Sequence, residues 1–249
     1  MSVNRTVASR LSPAARRRVR RATDRLLAPV GSVRAVRTSE PAVALSYDDG
    51  PDPVGTDAVL RALAEAGATA TFFQLVYRAE QSQEIVGRVV AAGHEVALHG
   101  IDHTRLTTLP VAEVTRRLAD GRRRLEAVTG RPVRLFRPPY GAQTLRTYVA
   151  ARRSGLDVVV WGPAAYDWVD GSPGELAARA LAGTGPGDVL LLHDGFEVPA
   201  GDRTPRPTFD RGEMTRALLA GLTERGLRAT SVGALMAAGR PWRTAWFSP

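Results

Sequence analysis

Beyond residue 40, the chain alternates between short apolar runs and longer segments in which apolar residues recur at helical spacing. The runs have the length of β-strands, and several are rich in β-branched residues. Seven of them occur, at residues 42–45, 69–75, 95–98, 133–136, 157–161, 189–192 and 227–230. This pattern predicts seven strands.

The segments between the runs carry apolar residues every three or four positions, as in Val59, Leu63 and Ala66, which predicts helices. Several end in a glycine, where a helix C-terminus needs a left-handed residue: Gly67, Gly93, Gly130, Gly155 and Gly226. Strands that alternate with helices imply a parallel sheet with right-handed crossovers. A βα barrel and a doubly wound sheet both satisfy the pattern.

Residues that could take part in catalysis or ligand binding follow five of the predicted strands: Asp48 and Asp49, His99 and His103, Arg137 to Tyr140, Asp167 and Trp168, and His193 and Asp194. In barrels and in open parallel sheets, the carboxyl ends of the strands form the face where catalytic groups converge. We therefore expect one site at this end of the sheet.

Two adjacent carboxylates, Asp48 and Asp49, leave the first strand at a turn that contains Gly50 and Pro51. Neighbouring like charges raise one pKa or favour a cation between them. An ordinary acidic turn is the alternative interpretation. The polar residues at the ends of the other strands favour a functional role for this turn.

The histidines predict a metal site and a proton donor. His99 and His103 are spaced to meet one divalent metal, and a carboxylate from the first strand would complete a His₂-Asp set that suits zinc or non-haem iron. Since the chain has no cysteine, His and carboxylate must hold any metal. His193 follows an apolar strand and suits a proton donor, whereas His94 lies at the opposite strand end and is interpreted as structural.

With these residues in place, the chain resembles the polysaccharide deacetylase family, the NodB-homology or carbohydrate esterase family 4 domain. The resemblance spans about residues 43 to 237 and rests on five segments in order: 46–51, 99–103, 136–141, 166–168 and 191–193. We accordingly expect a distorted (β/α)7-type barrel of parallel strands with the active site at the C-terminal strand ends.

The resemblance implies a role for each matching residue. Asp48 would be the general base, oriented by Arg137, and the backbone N–H of Tyr140 would help to hold the oxyanion. Asp167 would tune His193, the general acid.

The same resemblance implies that Asp49, His99 and His103 ligate a divalent metal, with Zn²⁺ expected and Co²⁺ or another transition metal as alternatives. The residues expected to contact the substrate are Tyr140, Trp168, Leu191 and Pro138.

Three departures from the family pattern affect the substrate side of the site. Gly100 stands where the family has Ser or Thr, so a hydroxyl that braces the loop is missing. The stretch 161–163 is less polar than is usual, and the Pro- and Gly-rich loop at 196–212 is expected to reshape the groove.

The net charge of +9 lies in one segment. Residues 1 to 37 contain ten Arg and one Asp, and removing them from the 34 basic and 25 acidic residues of the chain leaves 24 of each. We divide the chain into a basic tail, 1–37, and a catalytic domain, 38–249.

The tail lacks the interleaved aromatics of a nucleic-acid binder, so no nucleic acid is expected. A helix that begins at Ser12 and Pro13 would instead attract an anionic membrane surface, and a solvated arm is the alternative.

No export signal is recognisable in the basic segment, since it has no apolar stretch of the required length. A cytoplasmic location with peripheral membrane contact is expected, or an extracellular one if the chain is a processed fragment.

The function expected from these features is metal-dependent removal of N-linked acetyl groups from an N-acetylated sugar. Two alternatives remain open. One is a non-haem iron oxygenase with the same His₂-Asp set, and the other is a non-catalytic glycan-binding protein of the same fold.

Overall fold

The computed structural model describes residues 31–198 and 205–248 of the chain. Its strands are β1 (Ser32–Arg37), β2 (Ala42–Asp48), β3 (Thr71–Leu75), β4 (Glu95–Gly100), β5 (Leu135–Phe136), β6 (Asp157–Val158), β7 (Val189–His193), β8 (Arg228–Thr230) and β9 (Arg240–Thr244). Its helices are α1 (Gly55–Glu65), α2 (Val76–Gln81), α3 (Gln83–Ala91), α4 (Val111–Thr129), α5 (Leu145–Arg153), α6 (Pro173–Leu181), α7 (Arg211–Glu224) and α8 (Val232–Ala237).

Strands β2 to β8 form one curled, parallel sheet in the order β6-β5-β4-β3-β2-β7, with β8 paired to the first half of β2. All seven predicted strands are present, and the prediction of a distorted parallel barrel is confirmed. The five glycines predicted to end helices have positive φ, as the left-handed end of a helix requires.

The gap between the edge strands β6 and β7 is covered by β1. The carbonyl oxygen of Val33 accepts a hydrogen bond of 2.8 Å from the N–H of Val160, and the N–H of Val36 donates one of 2.7 Å to the carbonyl oxygen of Gly187. The outer edge of β1 pairs antiparallel with β9. The assignment of residues up to 37 to a tail is therefore wrong for 32–37, whose apolar side chains are buried in the barrel.

Side chains along β2 alternate between two hydrophobic cores, one inside the barrel and one between the sheet and the helices. Ala42 and Ala44 face the barrel interior with Phe73, whereas Val43 and Leu45 pack outward against the helices. Because successive side chains in a strand point to opposite faces, the interior series continues through Ser46 to Asp48. The sequence of β2 thus delivers a carboxylate to the C-terminal mouth of the barrel.

Two predicted features lie outside the described residues: the helix that begins at Ser12 and Pro13, and the central part of the loop at 196–212. Within 31–198 and 205–248, no helix combines the length and apolar character needed to cross a lipid bilayer.

Candidate active site

Asp48 and Asp49 diverge as β2 ends. Asp49 has φ of 72°, a left-handed conformation that is uncommon outside glycine and is enriched at functional sites. The turn brings Asp49 to the histidines that follow β4, while Asp48 stays on the inner face of the barrel. Both carboxylates are buried, so each one needs partners.

Asp49, His99 and His103 converge. Asp49 Oδ1 lies 3.3 Å from His99 Nε2 and 3.4 Å from His103 Nε2, and one ligand atom from each residue falls within a 4.8 Å cluster. Nitrogen and oxygen ligands at about 2.1 Å from a tetrahedral zinc ion are themselves about 3.4 Å apart. The three side chains therefore fit one divalent ion.

Hydrogen bonding directs His99 toward this site. His99 Nδ1 lies 2.9 Å from the carbonyl oxygen of Arg137, and since a carbonyl only accepts, Nδ1 carries the hydrogen. The neutral imidazole then turns its Nε2 lone pair toward Asp49 Oδ1, a buried oxygen with no hydrogen-bond partner among the described residues. Two acceptors that face each other are stabilised by a cation between them. A histidine that binds a metal through one ring nitrogen commonly donates the N–H of the other nitrogen to a carbonyl oxygen, as His99 does here.

The pKa values of Asp49 and His103 agree with ligation by a carboxylate and a neutral imidazole. Burial opposes ionisation of Asp49, yet His99 and His103 hold its pKa below the ordinary value. Burial lowers the pKa of His103 to about 4. His99 differs, because Asp48 and Asp49 raise its pKa against the effect of burial.

Gly100 is required by the backbone of this loop. Its φ is 141°, and a Cβ there would lie 2.7 Å from the carbonyl oxygen of Asp102, so the hydroxyl residue of the family pattern does not fit. Asp102 supplies a brace instead. Its Oδ1 accepts a hydrogen bond of 2.5 Å from Arg117 and one of 3.1 Å from the N–H of Thr104.

Arg137 holds Asp48 from inside the barrel. The fully buried guanidinium donates to Asp48 Oδ1 at 2.7 Å and to Ser46 Oγ at 2.8 Å, and it lies 4.1 Å from the ring centre of Phe73. Burial lowers the pKa of Arg137 while Asp48 opposes that shift. With Oδ1 occupied, Asp48 presents its other oxygen, Oδ2, which lies 3.9 Å from His99 Nε2.

His193 and Asp167 form a second pair. His193 Nδ1 lies 2.7 Å from Asp167 Oδ1, and the backbone N–H of His193 donates to Oδ2 at 2.8 Å. Although burial opposes protonation, the charge of Asp167 raises the pKa of His193 to about 9. His193 is the register partner of Asp48 on the adjacent strand, so the two pairs lie side by side.

A cavity of about 390 Å³ lies over these groups. Tyr140, Trp168 and Leu191 line it as expected, and Trp161 joins them. Tyr140 has φ of 60°, and its ring packs 4.2 Å from that of His103.

The contact between Pro138 and substrate stays a prediction. Pro138 is buried and does not line the cavity. Its carbonyl oxygen instead accepts a hydrogen bond from the N–H of Gly141, which fixes the turn that projects Tyr140.

One wall of the cavity comes from residues that the sequence interpretation did not single out. Phe196, Glu197 and Val198 line the side beyond His193. Arg78 donates to Glu197 Oε2 at 2.6 Å, and the hydroxyl of Tyr77 donates to the same oxygen at 2.7 Å. This clamp secures the first part of the loop that was expected to reshape the groove.

Comparison with known families shows to which family the chain belongs. Residues 35–159 match the model of the family described as polysaccharide deacetylase, a span that covers β2 to β6 and so includes Asp49, His99, His103 and Arg137. The chain belongs to the polysaccharide deacetylase family. The predicted resemblance is thereby confirmed, and so is the prediction of a carbohydrate deacetylase at the level of the family.

Known relatives of this polysaccharide deacetylase span most of its length. A chitooligosaccharide deacetylase of Sinorhizobium fredii is 36% identical over 64% of this chain and 74% of its own. A peptidoglycan-N-acetylglucosamine deacetylase of Bacillus cereus is 29% identical over 84% of this chain and 95% of its own. The crystal structure of peptidoglycan deacetylase PdaC from Bacillus subtilis superimposes with a TM-score of 0.69 at 28% identity, over 82% of this chain and 93% of that one.

We expect the His193–Asp167 pair to give this polysaccharide deacetylase a pH-dependent share of its stability. The pKa of His193 rises from 6.5 to about 9 on folding, so its contribution is complete below pH 6.5 and is lost as the pH rises through 9. It amounts to about 3 kcal/mol. Urea unfolding of the chelator-treated protein and of His193→Gln should differ most near pH 6 and least near pH 10. A pH-independent difference would contradict the assignment.

Proposed function

We propose that the chain hydrolyses the acetamide of an N-acetylated sugar, with a divalent metal held by Asp49, His99 and His103. One observation carries the proposal: a buried carboxylate bonded to an arginine and a partly buried imidazole bonded to a carboxylate share one cavity beside the ligand triad. Amide hydrolysis needs both partners, since a water must lose a proton and the departing amine must gain one.

The base in this mechanism is Asp48. Its Oδ1 is held by Arg137, so Oδ2 is the oxygen that takes the proton of the attacking water. The hydrogen bond from the Arg137 guanidinium fixes the direction of the Asp48 side chain. When bound, a divalent ion would polarise the acetyl carbonyl and acidify a nearby water.

The acid is His193. Asp167 occupies Nδ1, which leaves Nε2 as the nitrogen that gives its proton to the departing amine. Because the pKa of His193 is about 9, the imidazole is protonated at neutral pH. The backbone N–H of Tyr140 is our candidate donor to the developing oxyanion, a contribution of about 3 kcal/mol for a well-placed donor.

The proposed substrate is an oligosaccharide that contains N-acetylglucosamine. The chitooligosaccharide and peptidoglycan specificities belong to the relatives, and the aromatic lining of the cavity supports a sugar ligand here. Tyr140, Trp161 and Trp168 would stack on the apolar faces of sugar rings. Cytoplasmic location and contact of the Arg-rich segment with an anionic membrane stay predictions.

Acetate release from a panel of N-acetylglucosamine-containing substrates tests the proposal. We expect zinc-loaded protein to release acetate, chelation to abolish release, and added Zn²⁺ or Co²⁺ to restore it. Zinc-loaded protein that releases no acetate from any substrate would contradict the proposal.

Two other results would favour the alternatives. Glycan binding without acetate release would favour the non-catalytic protein. Iron-dependent oxygen uptake would favour the oxygenase, in which the Arg137–Asp48 and Asp167–His193 pairs have no acid–base task.

A further inference from the structure

Arg211 contacts the His193–Asp167 pair although it lies outside the five segments on which the family resemblance rests. It is the first residue of α7, and its side chain is only 10% exposed. Its Nη1 donates to the carbonyl oxygen of His193 at 2.7 Å and lies 3.7 Å from Asp167 Oδ2. One nitrogen therefore contacts both members of the pair.

The surroundings of Arg211 hold its guanidinium in place. The ring centre of Phe209 lies 4.8 Å from the guanidinium carbon. On the other side, a Cβ at Gly55 would lie 2.9 Å from Arg211 Cδ, so the absence of a side chain there makes room for the arginine. Arg216, on the same helix, is instead exposed and pairs with Glu65 at 2.7 Å.

The orientation of the His193 ring depends on the groups that Arg211 contacts. Asp167 uses Oδ1 for the imidazole and Oδ2 for the backbone N–H of His193. Asp167 has no exposed surface, and Arg211 is the cation beside Oδ2. The hydrogen bond to the carbonyl oxygen of His193 fixes the backbone from which the ring projects. Arg211 does not line the cavity, so it acts through the pair rather than on substrate.

We propose that Arg211 is a positioning residue for the general acid, fixing His193 and Asp167 so that the imidazole proton points at the departing amine. The inference rests on the proposed function, in which His193 is that acid. The inference predicts that an amide substrate and an activated ester will respond differently to loss of Arg211. A sugar amine departs only when it is protonated, whereas 4-nitrophenolate departs from 4-nitrophenyl acetate without a proton. Loss of Arg211 should therefore harm amide cleavage and spare cleavage of the activated ester.

The test compares zinc-loaded wild type, Arg211→Gln, Arg211→Lys and the matched control Arg216→Gln on an N-acetylglucosamine oligomer and on 4-nitrophenyl acetate. General acid catalysis contributes about 10²–10⁴ in rate. We expect Arg211→Gln to lower kcat on the oligomer by about 10²-fold and on the ester by less than about 3-fold. Arg211→Lys should recover part of the amide rate because it keeps a donor and a charge, and Arg216→Gln should match wild type on both substrates.

A parallel fall on both substrates, or no fall on either, would overturn the positioning role. Zinc titration and thermal melting of each variant show whether the site and the fold are intact, and Arg211→Lys provides the comparison if Arg211→Gln does not fold. A wild type that cleaves the ester but no N-acetylated sugar would contradict the proposed function, and this inference with it. A wild type active on both, whose substrate preference Arg211→Gln leaves unchanged, would contradict only the inference.

Discussion

Replacing Asp48 with Asn is expected to lower kcat for acetate release by about 10³-fold, within the range that acid–base groups contribute, and to leave zinc binding unchanged. An Asn carbonyl can still accept the hydrogen bond that Arg137 donates at 2.7 Å, so the position of the side chain is preserved. The amide cannot take a proton from water. Steady-state kinetics and zinc titration on the same preparation measure the two effects.

Asp57→Asn is the matched control for this change. Asp57 is half-buried at the start of α1 and pairs with Arg88 at 2.8 Å, so the substitution removes a carboxylate without touching the cavity. We expect its kcat to equal that of wild type. Full activity in Asp48→Asn would show that the base is another group, and loss of zinc in that variant would show that Asp48 takes part in ligation.

Replacing Arg137 with Met is expected to destabilise the fold by about 3–5 kcal/mol, the cost of leaving one partner of a buried ion pair uncompensated. Arg137 is fully buried and donates to Asp48 and Ser46. Without it, the Asp48 carboxylate remains in the barrel without the guanidinium, and the proposed base loses its orientation. Urea unfolding of the metal-free protein measures the free energy of unfolding.

The double variant Asp48→Asn/Arg137→Met separates the charge effect from loss of packing. Because both charges are removed, we expect it to be more stable than Arg137→Met alone, which gives a coupling energy between the two sites. Additive effects would contradict the ion-pair explanation. Arg124→Met is the control, since Arg124 lies on the surface and pairs with Glu80 at 2.6 Å, and exposed pairs contribute about 0–1 kcal/mol.

The parallel sheet could be predicted from the sequence because its strands are continuous apolar runs. A parallel sheet covered on both faces needs such runs, and the glycines after the helices mark where each crossover returns. Strands β1 and β9 escaped prediction because they carry several arginines and only short apolar stretches. Their pairing joins positions about 200 residues apart, for example Ser32 with Thr244, and no local pattern encodes it.

The core of the site was predictable because its residues stand at strand ends, where the fold alone brings them together. Asp49, His99 and His103 meet as expected, and Arg137 reaches Asp48 across the barrel. Pro138 does not line the cavity, because the side to which a turn residue points depends on local packing.

Arg211 and Glu197 were missed for a different reason. In the sequence they resemble surface charges near a polar loop. Their roles arise from tertiary neighbours, such as the space left by Gly55 and the cation supplied by Arg78.

The course of β1 determines at which end of the barrel Gly31 lies. Ser32 Oγ contacts the side-chain amide of Gln143, which follows the turn that carries Tyr140, whereas Val36 lies beside Gly187 at the entry to β7. The strand thus descends from the mouth of the barrel to its base. Gly31, where the described chain begins, therefore lies at the end of the barrel at which the cavity opens.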